Sequence, residues 1–288
     1  MPDNKTDLSS RQVDDIITLA LAEDLGEGDV TSDALIAPEI TGRASVIIKG
    51  NGVLAGTVVA ERVFRKVDFS LKYVRHIEDG TPVRPGDVVA TVSGSMLSIL
   101  KGERVALNFM QRLSGVATIT AQYVNAVKGC KGKIYDTRKT TPGMRILEKY
   151  AVKMGGGENH RLHLGDAVLI KDNHIATMRA AGLTIAEIID KARQNNRKGI
   201  TVEIEVTTPE EACEAAAAKA DIIMLDNMSP AVMKDVVAKI PDGIRTEASG
   251  GITLETVRAA AETGVDIISV GALTHSHKSL DISIEYEA

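Results

Sequence analysis

The sequence contains no tryptophan, and aromatic residues fill only 3% of its 288 positions. A core cannot then be built on large rings, so Ala, Val, Ile and Leu must supply it, as they do in buried parallel strands. Cysteine is nearly absent too. Cys130 and Cys213 stand far apart with no CxxC pair, which excludes a disulfide framework and suits a reducing cytoplasm. No apolar run approaches the roughly 18 residues that a membrane span needs, and the stretch MPDNKTDLSSRQVDDII is too polar and acidic for a signal peptide. Nor is positive charge in surplus: 34 Lys and Arg against 39 Asp and Glu give a formal net charge of −5. That balance argues against binding nucleic acid or an anionic membrane by bulk charge. What remains, 44% hydrophobic and 25% charged, is an ordinary soluble composition, long enough for one large domain or two smaller ones.

The chain changes character near residue 100. An opening helix is expected with Ser9 or Ser10 as its cap and Val13, Ile16, Ile17, Ala20 and Leu21 on one face. GRASVIIKGNGVLAGTVVAERVF reads as two β-rich runs hinged at Gly50-Asn51-Gly52. VRHIEDGTPVRPGDVVATVSG continues with short strands broken by Asp-Gly and Pro-Gly-Asp turns. Its Gly-Asp turns are of a lipoyl- or biotinyl-carrier kind, but no lysine sits at the tip of a Met-Lys-Met hairpin, so the segment reads as scaffold. A second helix begins near Ser98 and carries Arg104. The first third is therefore α+β. Beyond residue 110, apolar runs at 133–137, 167–172, 202–206, 221–226, 245–249 and 266–271 alternate with helical patterns over Thr184–Asn195, Pro209–Ala218, Pro230–Lys239 and Leu254–Glu262. Six strands alternating with helices imply a parallel sheet with right-handed crossovers. A barrel is favoured over an open doubly wound sheet, because no G-x-G-x-x-G follows the first strand.

Every run ends in polar chemistry. The first gives Asp136, Arg138 and Lys139, the second Lys171, Asp172, Asn173 and His174, and the third Glu203 and Glu205. The fourth gives Asp226 and Asn227, the fifth Ser249-Gly250-Gly251, and the sixth Gly271. In a parallel α/β barrel these strand ends form one rim, where active sites sit. Glu203 and Glu205 share one strand face and would point inward, where acids need a cation or a metal beside them. Structural salt bridges are the plainer alternative. GGGENHRLHLGD (155–166) is loop-like and puts His160 and Arg161 after three glycines, a cradle for an anion. His160, His163 and His174 fit no standard zinc spacing. EASGGI and SVGAL offer backbone N–H groups for a phosphate, or are simply tight turns. Met224, Met228 and Met233 read as core. Arg138, Lys139 and Arg145 crowd into the ten residues DTRKTTPGMR. With His160, Arg161 and Lys171, and Arg104 from the preceding helix, the basic residues call for a substrate with several negative charges. Glu205 and Asp226 opposite them suit a Mg²⁺ ion bridging a pyrophosphate.

DTRKTTPGMR, GGGENHR, LIKDNHI, IEVTT, IMLDNMSP and EASGGI, with AEDLGEGDVTSDAL and GERVALNFMQRLSGVAT before them, together resemble the quinolinate phosphoribosyltransferases. The resemblance covers residues 20 to 275. It implies an α/β fold with an N-terminal α/β sandwich over residues 1–112, residues 275–288 packing back on it, and an incomplete six-stranded α/β barrel of TIM-like type over 113–274. It also implies a homodimer in which Arg104 reaches the partner's site. Thr137, Arg138, Lys139, His160, Arg161 and Lys171 would hold the carboxylates of quinolinate and neighbouring phosphates. Glu205 and Asp226 would hold the ribose hydroxyls and Mg²⁺ of phosphoribosyl pyrophosphate. Ser249, Gly250, Gly251 and Gly271 would receive the 5-phosphate. Lys139, Lys171, Glu205 and Asp226 are the expected catalytic residues. The implied reaction transfers phosphoribosyl to the pyridine nitrogen and releases CO₂, a step that needs no side-chain nucleophile, and no Ser or Cys triad is evident. Three rivals stand beside this reading. They are a relative of the molybdenum-uptake type on the same scaffold, a Schiff-base aldolase using Lys171, and a non-catalytic sugar-phosphate or dicarboxylate binder.

Overall fold

The computed structural model describes residues 8–287; the first residues of the polar opening stretch and of the expected sandwich domain, 1–7, and residue 288 lie outside the described residues. Helices α1 (Arg11–Leu25) and α2 (Val30–Leu35) precede strands β1 (Thr41–Ile48) and β2 (Gly52–Val53). Then come α3 (Thr57–Val67), β3 (Lys72–Arg75), β4 (Pro82–Val83), β5 (Val88–Ser95) and the long α4 (Met96–Ala126). Alternation begins with β6 (Lys133–Tyr135), α5 (Arg145–Met154), β7 (Val168–Ile170), α6 (Asp172–Ala180) and α7 (Ile185–Gln194). It continues through β8 (Val202–Val206), α8 (Pro209–Ala217), β9 (Ile222–Asp226), α9 (Pro230–Val237) and β10 (Arg245–Ser249). The last elements are α10 (Val257–Ala261), β11 (Ile267–Ser269), α11 (Ala272–His275) and β12 (Ile282–Glu287). No helix among the described residues is long and apolar enough to cross a membrane.

These elements form two compact units, one of residues 8–121, 140–156 and 273–287, the other of 122–139 and 157–272. A boundary at 112/113 would fall inside α4, which continues unbroken through it. Residues 140–156 group with the first unit for a concrete reason. Glu148, fully buried, accepts from Arg112 Nη2 and from the Thr141 N–H, and the Tyr150 hydroxyl donates to Asp79 at 2.7 Å.

In the first unit an antiparallel sheet runs β12-β1-β5-β3. Val13, Ile17 and Leu21 form the buried face of α1, whose cap position is Ser10. Val59, Ala60, Val63 and Phe64 bury one side of α3, and the rings of Phe64 and Tyr73 stack 5.8 Å apart. The second β-rich run expected after Gly50-Asn51-Gly52 is thus a two-residue strand followed by a helix. The Asp79 carboxylate starts that helix from 22 residues away, accepting from Thr57 N, Thr57 Oγ1 and Gly56 N at 3.1, 2.7 and 2.8 Å. That cap and the spacing of the buried positions override the β preference of Val58, Val59 and Val63.

The second unit holds all six expected strands as one parallel sheet, ordered β6-β11-β10-β9-β8-β7. Strand cores are apolar and buried, as in Ile222–Leu225. Thr184, Thr208 and Ser229 cap α7, α8 and α9 by accepting an N–H three residues on, and Pro209 and Pro230 sit where a missing N–H costs nothing. Met224, Met228 and Met233 are buried as expected.

Candidate active site

Alternation along a strand sends residues i and i+2 to one face. On the inner face of the parallel sheet this places Glu205 on β8 level with Met224 on β9, and Met224 level with Glu247 on β10. One step further along, Asp226 pairs with Ser249. These positions, at the carboxyl ends of the strands, line a cavity of about 550 Å³. Its wall includes Thr137, Arg138 and Lys139 after β6, and His160 and Arg161 from the loop before β7. Lys171 after β7, and Asn227, Gly250 and Gly251 after β9 and β10, complete the polar lining. One concavity therefore gathers the expected residues, apart from Arg104 and Gly271. Arg104 lies exposed on α4, and Gly271 directly precedes α11. Arg145, the third cation of DTRKTTPGMR, does not line it; it opens α5 with Nε donating to Thr140 at 3.0 Å.

Lys171 is the N-cap of α6, and its Nζ lies 3.0 Å from Glu205 Oε2. Asp226 Oδ2 accepts from Asn227 Nδ2 at 2.7 Å, and the Asn227 backbone adopts the left-handed region at φ 55°. Asparagine tolerates that conformation better than other side chains. Gly250 and Gly251 follow with φ 90° and 59°. Their turn leaves backbone rather than side chain at the cavity wall, the condition for close approach of a phosphate.

Beneath the cations the loop 155–166 carries His160 and Arg161 into the interior, 5% and 6% exposed. Arg161 Nη1 donates to Ala167 O at 3.0 Å, while its Nε and that of Arg138 are buried with no hydrogen-bond partner. Burial pulls the Arg161 guanidinium below its ordinary value. His160 Nε2 lies 3.3 Å from both Glu203 and Glu247, two acids with no exposed surface. Burial and the neighbouring Glu247 carboxylate push Glu203 up to about 7. Against its own burial, Glu247 is held down by the imidazole. Burial would lower His160, but the Glu247 and Glu203 carboxylates outweigh it and push the ring up to about 10. A backbone bond pulls the other way: Arg161 N–H donates to His160 Nδ1 at 2.8 Å. That nitrogen must keep its lone pair, so the ring proton sits on Nε2, between the acids.

The structure adds protein partners to His160, which also lines the cavity. Its two ring nitrogens face protein groups, and Arg138, Lys139, Arg161 and Lys171 supply the cationic side chains of the wall. Glu203 has the His160 ring beside it, with Nε2 at 3.3 Å. The three histidines weighed as a zinc set go separate ways: His163 Nδ1 lies 3.0 Å from Asp166, and His174 Nδ1 accepts from Lys171 N at 3.0 Å. Glu247, Ser269, Leu169 and Met224 line the cavity without having been singled out as site residues. For Glu247 one signal was available, its place two residues before Ser249 on the same strand face.

A cationic cavity at the carboxyl ends of parallel strands, with two acids across it and a glycine turn at its edge, defines an α/β-barrel enzyme for polyanionic, phosphorylated substrates. Family models for the quinolinate phosphoribosyl transferase N-terminal and C-terminal domains match residues 29–114 and 116–285. The probable nicotinate-nucleotide pyrophosphorylase [carboxylating] of Bacillus subtilis is 46% identical over 263 residues, covering 91% of this chain and 89% of that protein. The mitochondrial quinolinate phosphoribosyltransferase [decarboxylating] 2b of Nicotiana tabacum is 42% identical, with 95% and 82% covered. The crystal structure of NadC from Streptococcus pyogenes superposes with a TM-score of 0.92 at 42% identity, covering 98% of this chain and 99% of that one. The chain belongs to the quinolinate phosphoribosyltransferase family.

Proposed function

We propose that the cavity binds quinolinate and phosphoribosyl pyrophosphate together and joins them, giving nicotinate mononucleotide, CO₂ and pyrophosphate, a step of NAD biosynthesis. The observation that carries this is the convergence of Arg138, Lys139, Arg161 and Lys171 on one cavity opposite Glu205 and Asp226. Guanidinium forks suit the two carboxylates of a pyridine dicarboxylate, and lysines act as point charges beside phosphate. Glu205 and Asp226 hold ribose hydroxyls, and the backbone of Ser249, Gly250 and Gly251 receives the 5-phosphate, with Gly271 beside it. The pyridine nitrogen displaces pyrophosphate at the anomeric carbon. Cations placed in advance stabilise the charge growing on the leaving group, usually the largest contribution to such a rate. The ring nitrogen, now cationic, stabilises the electron pair left on C2 when the 2-carboxylate departs as CO₂, and a proton from solvent then takes the vacated place on C2.

Glu205 and Asp226 are an oxygen-only pair, and Mg²⁺ takes one or two carboxylates together with substrate phosphates, so the residues fit that ion. When bound it would neutralise negative charge on the pyrophosphate. The ion pair between Lys171 and Glu205 disfavours the aldolase alternative, since a Schiff-base amine has to be free of such a partner. The proposal includes a cytoplasmic homodimer. Two free cysteines are in keeping with a reducing compartment, and Arg104, exposed on α4, is available to a second subunit. Mixing Arg104→Ala with Lys171→Ala subunits is expected to restore part of the activity that each has lost, and no rescue in verified mixed dimers counts against shared sites.

The direct test is release of pyrophosphate and CO₂ from phosphoribosyl pyrophosphate, Mg²⁺ and quinolinate, with nicotinate as comparison. Equal amounts of both products with quinolinate alone are expected. Turnover with nicotinate, or pyrophosphate without CO₂, would overturn the assignment.

A further inference from the structure

Three carboxylates lie fully buried below the cationic wall: Asp136 just past β6, Glu203 on β8 and Glu247 on β10. In the sheet order β6-β11-β10-β9-β8-β7 these are alternate strands, the pattern by which barrel interiors are layered. Acids in such a place are strongly destabilising unless they are needed and partnered. All three converge on one residue of the loop 155–166. Asp136 Oδ1 accepts the His160 N–H at 2.8 Å, and Glu203 and Glu247 face His160 Nε2 at 3.3 Å. The remaining ring nitrogen, Nδ1, accepts the Arg161 N–H at 2.8 Å. The next group along is the Arg161 guanidinium, tied by Nη1 to Ala167 O and otherwise directed to the cavity, with Nε buried and unpartnered.

We propose that Glu203 and Glu247 are positioning residues for quinolinate: they clamp the His160 ring from β8 and β10, and the clamped ring fixes the Arg161 backbone and so the aim of its guanidinium. His160 is the link between the acids and Arg161. The three glycines at the start of the loop supply little rigidity, so it is held from outside: Glu158 pairs with the backbone of Ile134 and Asp136, and the acids beneath hold the His160 ring. Strands β8 and β10 are rigid elements, the kind of support a substrate-aiming side chain requires. The inference rests on the reading of this cavity as the quinolinate site.

The test is steady-state kinetics of Glu247→Gln, which keeps the side-chain volume and removes the carboxylate. The expected result is a roughly tenfold rise in KM for quinolinate, the equivalent of one charge-assisted hydrogen bond, with KM for phosphoribosyl pyrophosphate within about twofold of wild type. Arg161→Lys made alone and on top of Glu247→Gln completes a cycle. If the acid acts through Arg161, the two effects on quinolinate KM fall well short of adding. Glu203→Gln, on the same ring nitrogen from the other strand, carries the test if Glu247→Gln does not fold. Failure of both variants to fold would make the acids structural alone and overturn the inference. So would an equal rise in both KM values, no rise in either, or full additivity with Arg161→Lys. Absence of quinolinate turnover in the wild-type protein is a different failure, that of the reading of the cavity itself, and takes the inference with it.

Discussion

Gly250→Ala is the substitution whose cost the geometry defines most closely. A Cβ built on Gly250 would stand 2.3 Å from Asn227 Oδ1, 2.5 Å from its Cγ and 2.8 Å from its backbone N. Asn227 cannot simply recede, because that N–H donates to Ser249 O at 3.0 Å and its side-chain amide donates to Asp226 at 2.7 Å. The left-handed φ of 90° adds its own penalty, about 1–2 kcal/mol for an L side chain. Loss or distortion of one backbone bond adds about 1 kcal/mol. A total near 3 kcal/mol lowers the melting temperature by roughly 6–12 °C for a protein of this size. Gly251→Ala is the control in the same turn. Its φ is 59° and nothing lies within 4 Å of the added carbon, so only the backbone penalty applies. Thermal unfolding of both variants without ligand compares them directly, and KM for phosphoribosyl pyrophosphate should rise for Gly250→Ala because Asp226 is displaced through Asn227. Equal melting temperatures for the two variants would refute the argument.

Lys139→Ala should weaken quinolinate binding far more than binding of phosphoribosyl pyrophosphate, and isothermal titration showing equal loss of both would sink its assigned role. Glu148→Gln replaces a fully buried acid that accepts from Arg112 and Thr141 N with a group that can serve only one of them. With Arg112 31% exposed, the expected loss in urea unfolding is about 2–3 kcal/mol rather than the larger cost of breaking a fully buried pair. Asp266 accepts from Lys131, Thr246 N and Thr246 Oγ1, and these bonds hold it below its ordinary value of 3.8 although partial burial pushes upward. A depressed carboxylate stabilises the fold above its unfolded pKa and loses that contribution as pH falls through the folded one. Asp266→Asn should therefore be less stable than wild type at pH 7, with the gap closing below about pH 3.8; a gap unchanged at pH 2.5 in denaturant titrations would contradict this.

Local pattern decided the parallel sheet. Runs such as Ile222–Leu225 are apolar on both faces, and capping pairs such as Thr208-Pro209 mark the helices between them. Rim chemistry was legible for the same reason, since strand ends can be counted along the chain. What escaped was set by partners distant in sequence. α3 reads as a strand because the carboxylate that starts it is Asp79. Glu247 reads as an ordinary strand residue because the histidine it faces lies in a different loop. The surroundings of His160 were hidden likewise: its place after three glycines does not announce Glu203, Glu247 and the Arg161 N–H around its ring.

The pairing of β1 with β12 bears on how the protein is made. Ser45 and Glu287, hydrogen-bonded across that ladder, are 242 residues apart. At ribosomal rates of about 5–20 residues per second, β1 waits on the order of 12–50 s for its neighbour. Throughout that interval it presents an open row of N–H and C=O groups, the surface on which nascent chains join wrongly. Charged residues stand along the waiting edge at Arg43 and Lys49, each later matched by an acid of the arriving strand, Glu287 and Glu285. Until then they are unmatched positive charges that repel a second copy of the same edge, so the late ion pairs double as protection during synthesis.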